Sequence, residues 1–137
     1  MNWNEWNAKI IEEFRANGGK VGGDFEGAPL LLLHTKGAKT GRPHVTPLMY
    51  LAEDGRTFVF ASKGGAATNP DWYHNLVADA DVTIEIGVGT SQARAEVVTG
   101  AERDELYARQ VERRPQFGEY ERRTARTIPV IRLVPAA

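Results

Sequence analysis

The chain contains a long stretch without acidic residues, and its basic side chains are grouped near the centre of that stretch. No Asp or Glu lies between Glu26 and Glu53, although the formal net charge of the whole chain is only −1. The basic and histidine residues of the stretch are His34, Lys36, Lys39, Arg42 and His44. A phosphate binds where several donors converge, and Gly37 and Gly41 would let backbone N–H groups approach it closely. We therefore predict an anion site here, with a solvated hairpin between two strands as the alternative.

A second stretch without acidic residues covers residues 55–70 and contains Ser62-Lys63-Gly64-Gly65. The two glycines allow the backbone to lie against a flat ligand. A short helix is predicted to begin near Asn69-Pro70, with Pro at its first position and free N–H groups directed at any nearby anion. The alternative for Trp72 in this helix is that it packs in the protein core and does not contact a ligand. Together the two basic, glycine-containing loops suggest a phosphorylated ligand.

Several other kinds of site are not supported by the sequence. The order Gly-Lys-Thr of a Walker loop is absent, the three histidines lack the spacing of metal ligands, and Ser62 is not in a G-x-S-x-G elbow. The chain has no cysteine, which excludes a thiol nucleophile and fits a reducing cytoplasm. The basic residues are too few and too spaced by glycine to predict nucleic-acid binding.

The remaining pattern predicts one α+β domain, since 137 residues fit a single core. Six short strands with tight turns suggest a small barrel or a sandwich, and Asp54-Gly55 is typical of a hairpin turn. Thr99 and Glu102 have the spacing of a capping box before a helix. The strands are expected at residues 30–35, 45–51, 57–61, 82–86, 91–98 and 128–134, and helices at residues 2–17, near 70, and at 101–113.

The N-terminal helix carries an aromatic and aliphatic stripe at three- and four-residue spacing, formed by Trp3, Trp6, Ile10 and Phe14. Asn2 and Glu5 have the spacing of a capping box. The opposite face carries charges of both signs, so docking of the stripe on the protein's own core is favoured over peripheral contact at the inner face of a membrane. No apolar run is long enough to span a bilayer.

The segment before the last strand offers one further candidate for chemistry. Tyr120 could donate a proton or could simply cover the mouth of a barrel. The neighbouring charges alternate in sign, so we expect a solvated surface of self-paired residues comprising Glu119, Glu121, Arg122, Arg123 and Arg126.

Six motifs in order resemble the deazaflavin (coenzyme F420)-dependent nitroreductase and quinone reductase family over residues 30–134. They are Leu32-Leu33-His34-Thr35, Lys39-Thr40-Gly41-Arg42-Pro43, Thr46-Pro47-Leu48-Met49-Tyr50, Ala61-Ser62-Lys63-Gly64-Gly65, Asn69-Pro70-Asp71-Trp72-Tyr73-His74-Asn75-Leu76 and Arg126-Thr127-Ile128-Pro129. The resemblance implies a split β-barrel, related to FMN-binding oxidases, over residues 28–137. It also implies that reduced F420 donates a hydride to an electron-poor acceptor such as a quinone, enone or nitro compound.

The resemblance also implies roles for individual residues. The coenzyme phosphate would be held by Lys39, Thr40 and His44. The deazaflavin and its ribityl chain would be lined by Thr46, Pro47, Leu48, Ala61, Ser62, Lys63, Gly64 and Gly65. The other side would be closed by Asp71, Trp72, Tyr73 and Asn75. Tyr120 or Ser62 would supply a proton or a hydrogen bond during acceptor reduction, and water is the alternative source.

The chain departs from the family pattern in two places. The family usually has Arg or Lys where this chain has His44, and an imidazole is cationic mainly below about pH 6.5, so phosphate affinity should depend on pH. Family members that reduce nitroimidazoles carry several tyrosines where this chain has Phe117, Tyr120 and Arg123, so that activity is not implied.

Two other functions stay open at this point. One is an FMN-dependent split-barrel oxidase or reductase, and the other is a deazaflavin-binding protein without catalytic activity. The expected partner is a small-molecule acceptor, and the sequence does not determine the oligomeric state.

Overall fold

A computed structural model describes residues 3–136, in which six antiparallel strands close into a barrel. The order around the barrel is β1-β2-β3-β6-β5-β4, and β4 returns to β1. The strands are β1 (Leu30–Lys36), β2 (Pro43–Glu53), β3 (Arg56–Phe60), β4 (Asp81–Ile86), β5 (Gly89–Val98) and β6 (Val130–Pro135). The helices within the described range are α1 (Trp3–Ala16), α2 (Asp71–Ala78), α3 (Gly100–Arg113) and α4 (Gln116–Arg123), with 3₁₀ turns at Gly23–Phe25 and Lys63–Gly65.

The six predicted strands are confirmed, and the architecture is a closed barrel. The β2–β3 turn is the predicted Asp-Gly hairpin, because Asp54 and Gly55 have φ values of 53° and 76°, the left-handed pair that such a turn requires. β6 begins at Val130, two residues later than predicted. Ile128 is nevertheless fully buried, and the backbone carbonyl of Pro129 accepts a hydrogen bond from Ala61, so the preceding segment still runs along the barrel.

The four consecutive leucines of β1 are buried because both faces of this strand are covered. Leu31 and Leu33 point into the barrel, where they join a cluster with residues of β3, β4, β5, β6 and α2. Leu30 and Leu32 point outward and pack against Phe14 of α1. This arrangement explains an uninterrupted apolar run where a strand with one solvated face would alternate.

Three residues of the apolar stripe of α1, Trp6, Ile10 and Phe14, dock on the protein's own core, as predicted, and the side chain of Trp3 lies outside what the structure describes. Phe14 is only 1% exposed, and the ring of Trp6 lies 5.4 Å from the ring of Phe25. The predicted capping box of this helix involves Asn2, which lies outside the described residues. No helix between residues 3 and 136 is both long enough and apolar enough to cross a membrane.

Helices α3 and α4 cover a second apolar cluster on the outer face of the barrel. The Tyr107 hydroxyl donates a 2.7 Å hydrogen bond to the Phe117 carbonyl, which joins the two helices. Burial, together with the nearby Glu121 carboxylate, raises the pKa of Tyr107 to about 12. The Phe60 ring packs edge-on against both Tyr107 and Phe117, so the cluster is anchored on β3.

Three local predictions about the helices are wrong. Helix α4 was not predicted, because its sequence is largely charged and only Phe117 and Gly118 are buried. Pro70 is the N-cap of α2 and not its first helical residue. Thr99 is the N-cap of α3 but makes no side-chain cap, since Gly100 follows it with a φ of 69° and starts the helix with non-helical geometry.

An ion-pair cluster connects α1 to the barrel. The Glu85 carboxylate on β4 accepts hydrogen bonds from Arg15 Nε at 3.2 Å and from Arg15 Nη2 at 2.8 Å, and it also contacts His34 Nε2 on β1. The hydrogen bond from Arg15 is the largest cause that lowers the pKa of Glu85 below its usual value of 4.5. A carboxylate with a lowered pKa stabilises the folded state above its unfolded pKa, and this stabilisation is lost as the pH falls through the folded pKa.

We predict that Glu85→Gln lowers the free energy of unfolding at pH 7 by about 1 kcal/mol, because Arg15 is half exposed and the pair is partly screened. The difference from the wild type should shrink as the pH falls through the lowered folded-state pKa of Glu85, because below it the carboxyl group is neutral in both states. Urea denaturation from pH 3 to pH 7 measures this difference in the free energy of unfolding. The control is Glu12→Gln, which neutralises an exposed carboxylate on α1, the helix that carries Arg15. A loss that is the same at every pH would show that the charge of Glu85 is not involved.

Candidate functional site

The barrel opens where the ladder between β2 and β3 stops. The last pair of this ladder is Tyr50 with Val59, whereas β2 extends back from Tyr50 to Pro43 and pairs there with β1 alone. After Phe60 the chain leaves the sheet and forms the Lys63–Gly65 turn. Thr46, Pro47 and Leu48 therefore lie on an edge of β2 without a β3 partner, and all three are partly buried. A proline is tolerated at such an edge because no ladder hydrogen bond is lost.

The loop between β1 and β2 folds back on itself at this opening. Gly37 N–H donates to the Arg42 carbonyl at 2.8 Å, and Gly41 N–H donates to the Gly37 carbonyl at 2.8 Å. A Cβ atom on Gly37 would lie 2.8 Å from Thr40 Oγ1 and 3.1 Å from His44 Nε2. Glycine at position 37 thus lets the Thr40 hydroxyl and the His44 imidazole approach the backbone closely, and these two polar groups converge beside Lys39 and Arg42.

The cations of this loop are available to a ligand. Lys39, Thr40, Arg42 and His44 are all exposed. Among the residues that the structure describes, no carboxylate lies within 4 Å of the charged groups of Lys39 or Arg42. By contrast, Lys36 at the end of β1 pairs with Asp79 at 3.4 Å. The predicted anion site therefore keeps two cations that are not neutralised by the protein itself.

The Asn75 side chain of α2 connects this loop to the helix and to β1 through hydrogen bonds. Its Oδ1 accepts a 2.9 Å hydrogen bond from Ala38 N–H, and its Nδ2 donates to Thr35 Oγ1 at 3.2 Å. Asn75 is 5% exposed and Thr35 is 4% exposed, so both bonds are shielded from water. Because a backbone N–H can only donate, the oxygen of the Asn75 amide must face Ala38, and one side chain thereby joins α2, β1 and the loop.

Arg126 organises the second basic loop. Its guanidinium donates from Nε to the Ala66 carbonyl at 2.9 Å, from Nη1 to the Ala61 carbonyl at 3.0 Å and to Asn69 Oδ1 at 2.7 Å, and from Nη2 to the Ser62 carbonyl at 2.7 Å. Burial lowers the pKa of Arg126. All four acceptors belong to residues 61–69, which have left the sheet and need donors for their carbonyl groups.

The predicted solvated surface around Arg126 is therefore only partly correct. Arg123 does pair with Glu119, at 3.6 Å along one helix face, and both are exposed. Glu121 lies 3.8 Å from Arg103 of α3 instead of pairing within its own segment. Arg126 is partly buried and binds carbonyl oxygens, a role that charge alternation in the sequence does not reveal.

The turn formed by Ser62-Lys63-Gly64-Gly65 has three consecutive left-handed residues. The φ values are 48° at Lys63, 64° at Gly64 and 84° at Gly65. A Cβ atom on Gly65 would lie 2.7 Å from the Tyr120 carbonyl oxygen, so α4 packs directly on the turn. Ser62 is 9% exposed, and its carbonyl also accepts a 2.9 Å bond from Gly65 N–H. Glycine is thus required at position 65 by both its backbone angle and the close approach of α4.

Helix α2 closes one end of the barrel beside the opening. Trp72 and Leu76 are 6% and 2% exposed and belong to the cluster inside the barrel. Asp71 and His74 are exposed, and Tyr73 is partly buried with its ring 5.7 Å from the ring of His74. The structure thus places Trp72 among core residues, whereas Asp71 and Tyr73 reach the surface.

The two predicted catalytic residues lie on opposite sides of the Gly65 contact. The backbone of Tyr120 touches Gly65, and its partly buried ring lies 5.1 Å from the ring of Phe117. Ser62 begins the turn on the other side. Sequence reasoning missed Thr35, Asn69 and Arg126 as residues that build the site. Each of the three lies in one of the motifs that carry the family resemblance, but the sequence attached no role to these residues.

Residues 6–135 match the family model described as F420H(2)-dependent quinone reductase. A relative from Mycobacterium tuberculosis (strain H37Rv), named F420H(2)-dependent quinone reductase, is 38% identical over 122 residues, which are 86% of this chain and 82% of the relative. A solved F420-H2 dependent reductase (FDR-A) is 36% identical with a TM-score of 0.70, over 77% of this chain and 93% of that one. Another solved structure, described as a domain-swapped dimer, is 32% identical with a TM-score of 0.71 and covers 96% of each chain.

We predict that Asn75→Ala loosens the loop at residues 37–42, because it leaves the Ala38 N–H and the Thr35 hydroxyl without their partner. The free energy of unfolding should fall by about 1–3 kcal/mol. Amide hydrogen exchange at Ala38 should become faster than in the wild type. Asn17→Ala, which removes an exposed side-chain bond to the Glu13 carbonyl, is the control. Unchanged exchange at Ala38 would contradict the role assigned to Asn75.

Proposed function

This chain belongs to the F420H(2)-dependent quinone reductase family, and we propose that it binds F420 in the barrel opening between residues 37–48 and 61–65. Bound in reduced form, F420 supplies a hydride to the acceptor. The protein's part is to hold the coenzyme, to present its ring to the acceptor and to provide a proton. We propose a quinone as the acceptor class, with enones and nitro compounds as further electron-poor candidates.

The observation that carries this proposal is that the loop beside the opening holds cations that no carboxylate of the described chain neutralises. Lys39 and Arg42 have no carboxylate near them in the described part of the chain, and the Thr40 hydroxyl and the His44 imidazole converge at Gly37 in the same loop. These features fit the phosphate of F420. We assign phosphate binding to Lys39, Thr40 and His44, with charge-assisted bonds from the lysine.

The same opening offers walls for the deazaflavin ring. We assign one wall to Thr46, Pro47 and Leu48 on the unpaired edge of β2. The facing wall consists of Ala61, Ser62, Lys63, Gly64 and Gly65, where the glycines let backbone approach a flat ring. Asp71, Tyr73 and Asn75 of α2 close the remaining side, and the buried Trp72 contributes by supporting that helix.

We also propose a cytoplasmic location and a small-molecule acceptor as the partner. The lack of cysteine is consistent with a reducing compartment. The contacts of Trp6 and Phe14 within the protein favour docking of α1 on the core over contact with a membrane. The relative described as a domain-swapped dimer makes a dimer of this chain the state to test by light scattering.

The first experiment compares F420 with FMN. We expect F420 to bind more tightly in a fluorescence titration, and reduced F420 to be oxidised when a quinone is added to the enzyme. Equal or tighter binding of FMN would support a flavin-dependent oxidase instead. Tight binding of F420 without turnover of quinone, enone or nitro acceptors would support a non-catalytic binding protein.

We predict that Lys39→Ala weakens F420 binding by about 1–3 kcal/mol through loss of a charge-assisted contact, while the fold is retained because Lys39 is exposed. Lys9→Ala, which removes the same charge from the exposed face of α1, should bind F420 normally. His44→Arg should tighten binding at pH 8 more than at pH 6, since an imidazole is mostly neutral above about pH 6.5. Affinities that do not change with pH in either protein would remove His44 from the phosphate site.

We predict that Tyr120→Phe lowers kcat about 10²–10⁴-fold with little change in F420 affinity, because it removes only the hydroxyl that we propose as proton donor. The measurement is turnover with a quinone for which hydride transfer limits the rate. Tyr107→Phe is the control, since its hydroxyl is used to join α3 and α4 and its loss should lower Tm and not the chemical step. Wild-type turnover by Tyr120→Phe would assign proton donation to Ser62 or water.

A further inference from the structure

Arg126 is a partly buried cation at the opening, and its acceptors all lie in one short segment. Four hydrogen bonds of 2.7–3.0 Å connect it to the carbonyl groups of Ala61, Ser62 and Ala66 and to the side chain of Asn69. A guanidinium has five N–H donors in a rigid plane, so this arrangement uses almost its full capacity. Within residues 3–136, no carboxylate lies within 4 Å of its charged nitrogens.

The hydrogen bonds to Arg126 also determine where the neighbouring N–H groups point. In a planar trans peptide, the carbonyl and the following N–H point in opposite directions. Since the carbonyls of Ala61 and Ser62 face the guanidinium, the N–H groups of Ser62 and Lys63 face away from it. Neither N–H group has an acceptor in the described part of the protein, so both are left to meet a ligand.

We propose that Arg126 is a positioning residue for the coenzyme: it turns the Ser62 and Lys63 N–H groups toward bound F420 and holds a positive charge behind them. This proposal rests on the proposed function. The carbonyl oxygens of a deazaflavin are suitable acceptors for two such donors. The close packing of α4 on Gly65 holds the other side of the same turn, so the donors cannot easily rotate away.

The chain offers a matched control in Arg103. This residue is 8% exposed, and its Nε and Nη2 both donate to the Ile128 carbonyl, at 3.1 and 2.9 Å. Its guanidinium lies over the Tyr107 ring at 4.7 Å. Like Arg126 it donates hydrogen bonds to backbone carbonyl oxygen, although it also pairs with Asp104 and Glu121. It connects α3 to the segment before β6, and none of its hydrogen bonds in the described part of the chain reaches residues 61–69.

The experiment compares Arg126→Gln and Arg126→Lys with Arg103→Gln. Each variant is measured for Tm, for the Kd of F420 by fluorescence titration at a temperature where it is folded, and for amide hydrogen exchange at residues 62–66. We expect both Arg126 variants to bind F420 at least about tenfold more weakly, because one or two backbone N–H donors would no longer be aligned with the coenzyme. Arg103→Gln should lower Tm yet keep Kd within about twofold.

Exchange in the wild type completes the test. Adding F420 should slow exchange at the Ser62 and Lys63 amides. The Arg126 variants without F420 should exchange faster than the unliganded wild type at Gly65 and Ala66, whose N–H groups donate to the Ser62 and Lys63 carbonyls within the turn. The proposal is overturned if Arg126→Lys keeps the wild-type Kd, if Arg103→Gln weakens F420 equally, or if F420 leaves the Ser62 and Lys63 amides unprotected. If the wild type does not bind F420, the proposed function fails. In that case, comparing exchange in the unliganded wild type and Arg126→Lys still decides whether Arg126 orders the turn. Arg126→Lys also serves for all the measurements if Arg126→Gln does not fold.

Discussion

The hydrogen bonds from the Arg126 guanidinium to residues 61–69 are the interaction on which the rest of the site depends. Where β3 ends, the chain leaves the sheet and its carbonyl groups lose their ladder partners, and Arg126 supplies donors to three of these carbonyls. Its fourth bond is to the Asn69 side chain just before α2, and α2 in turn carries Asn75, which bonds to the loop between β1 and β2. Arg126, in the segment after α4, is therefore connected to both basic loops through its hydrogen bonds and through α2. Loss of Arg126 should therefore also affect the loop between β1 and β2, with which it forms no hydrogen bond.

The barrel provides an opening because one ladder is incomplete. β2 is eleven residues long, but only its last four residues pair with β3. The unpaired part of β2 and the turn after β3 form two walls, and α2 closes the barrel end between them with Trp72 and Leu76. This arrangement suits a flat ring with an anionic tail, since the walls are glycine-rich backbone and strand edge while the cations lie at the loop beyond. The coenzyme of the F420H(2)-dependent quinone reductase family has that combination of groups.

Much of this fold could be predicted from the sequence because its signals are local. The Asp54-Gly55 turn, the apolar runs of the six strands and the stripe on α1 each report a backbone preference or a buried face that neighbouring residues determine. Helix α4 could not be predicted, since its sequence is largely charged with only Phe117 and Gly118 buried, and the turn at Gly65 on which its backbone packs is distant in sequence. The roles of Arg126 and Asn75 were likewise hidden: their partners lie 57–65 and 37–40 residues away, and only the closed barrel brings them together. Lys39 and the pair Gly64-Gly65 could be proposed from the sequence because a concentration of charge and glycine is visible without a fold.

The central claim is that the two basic loops form one binding site, and a titration of ¹⁵N-labelled protein with F420 tests it most directly. The account predicts that the amide signals of residues 37–42 and of residues 62–65 shift together and give the same dissociation constant, while signals of the exposed turn at Gly87 and Val88 stay in place. Shifts confined to one loop, or different dissociation constants for the two, would contradict the claim and separate the anion site from the ring site.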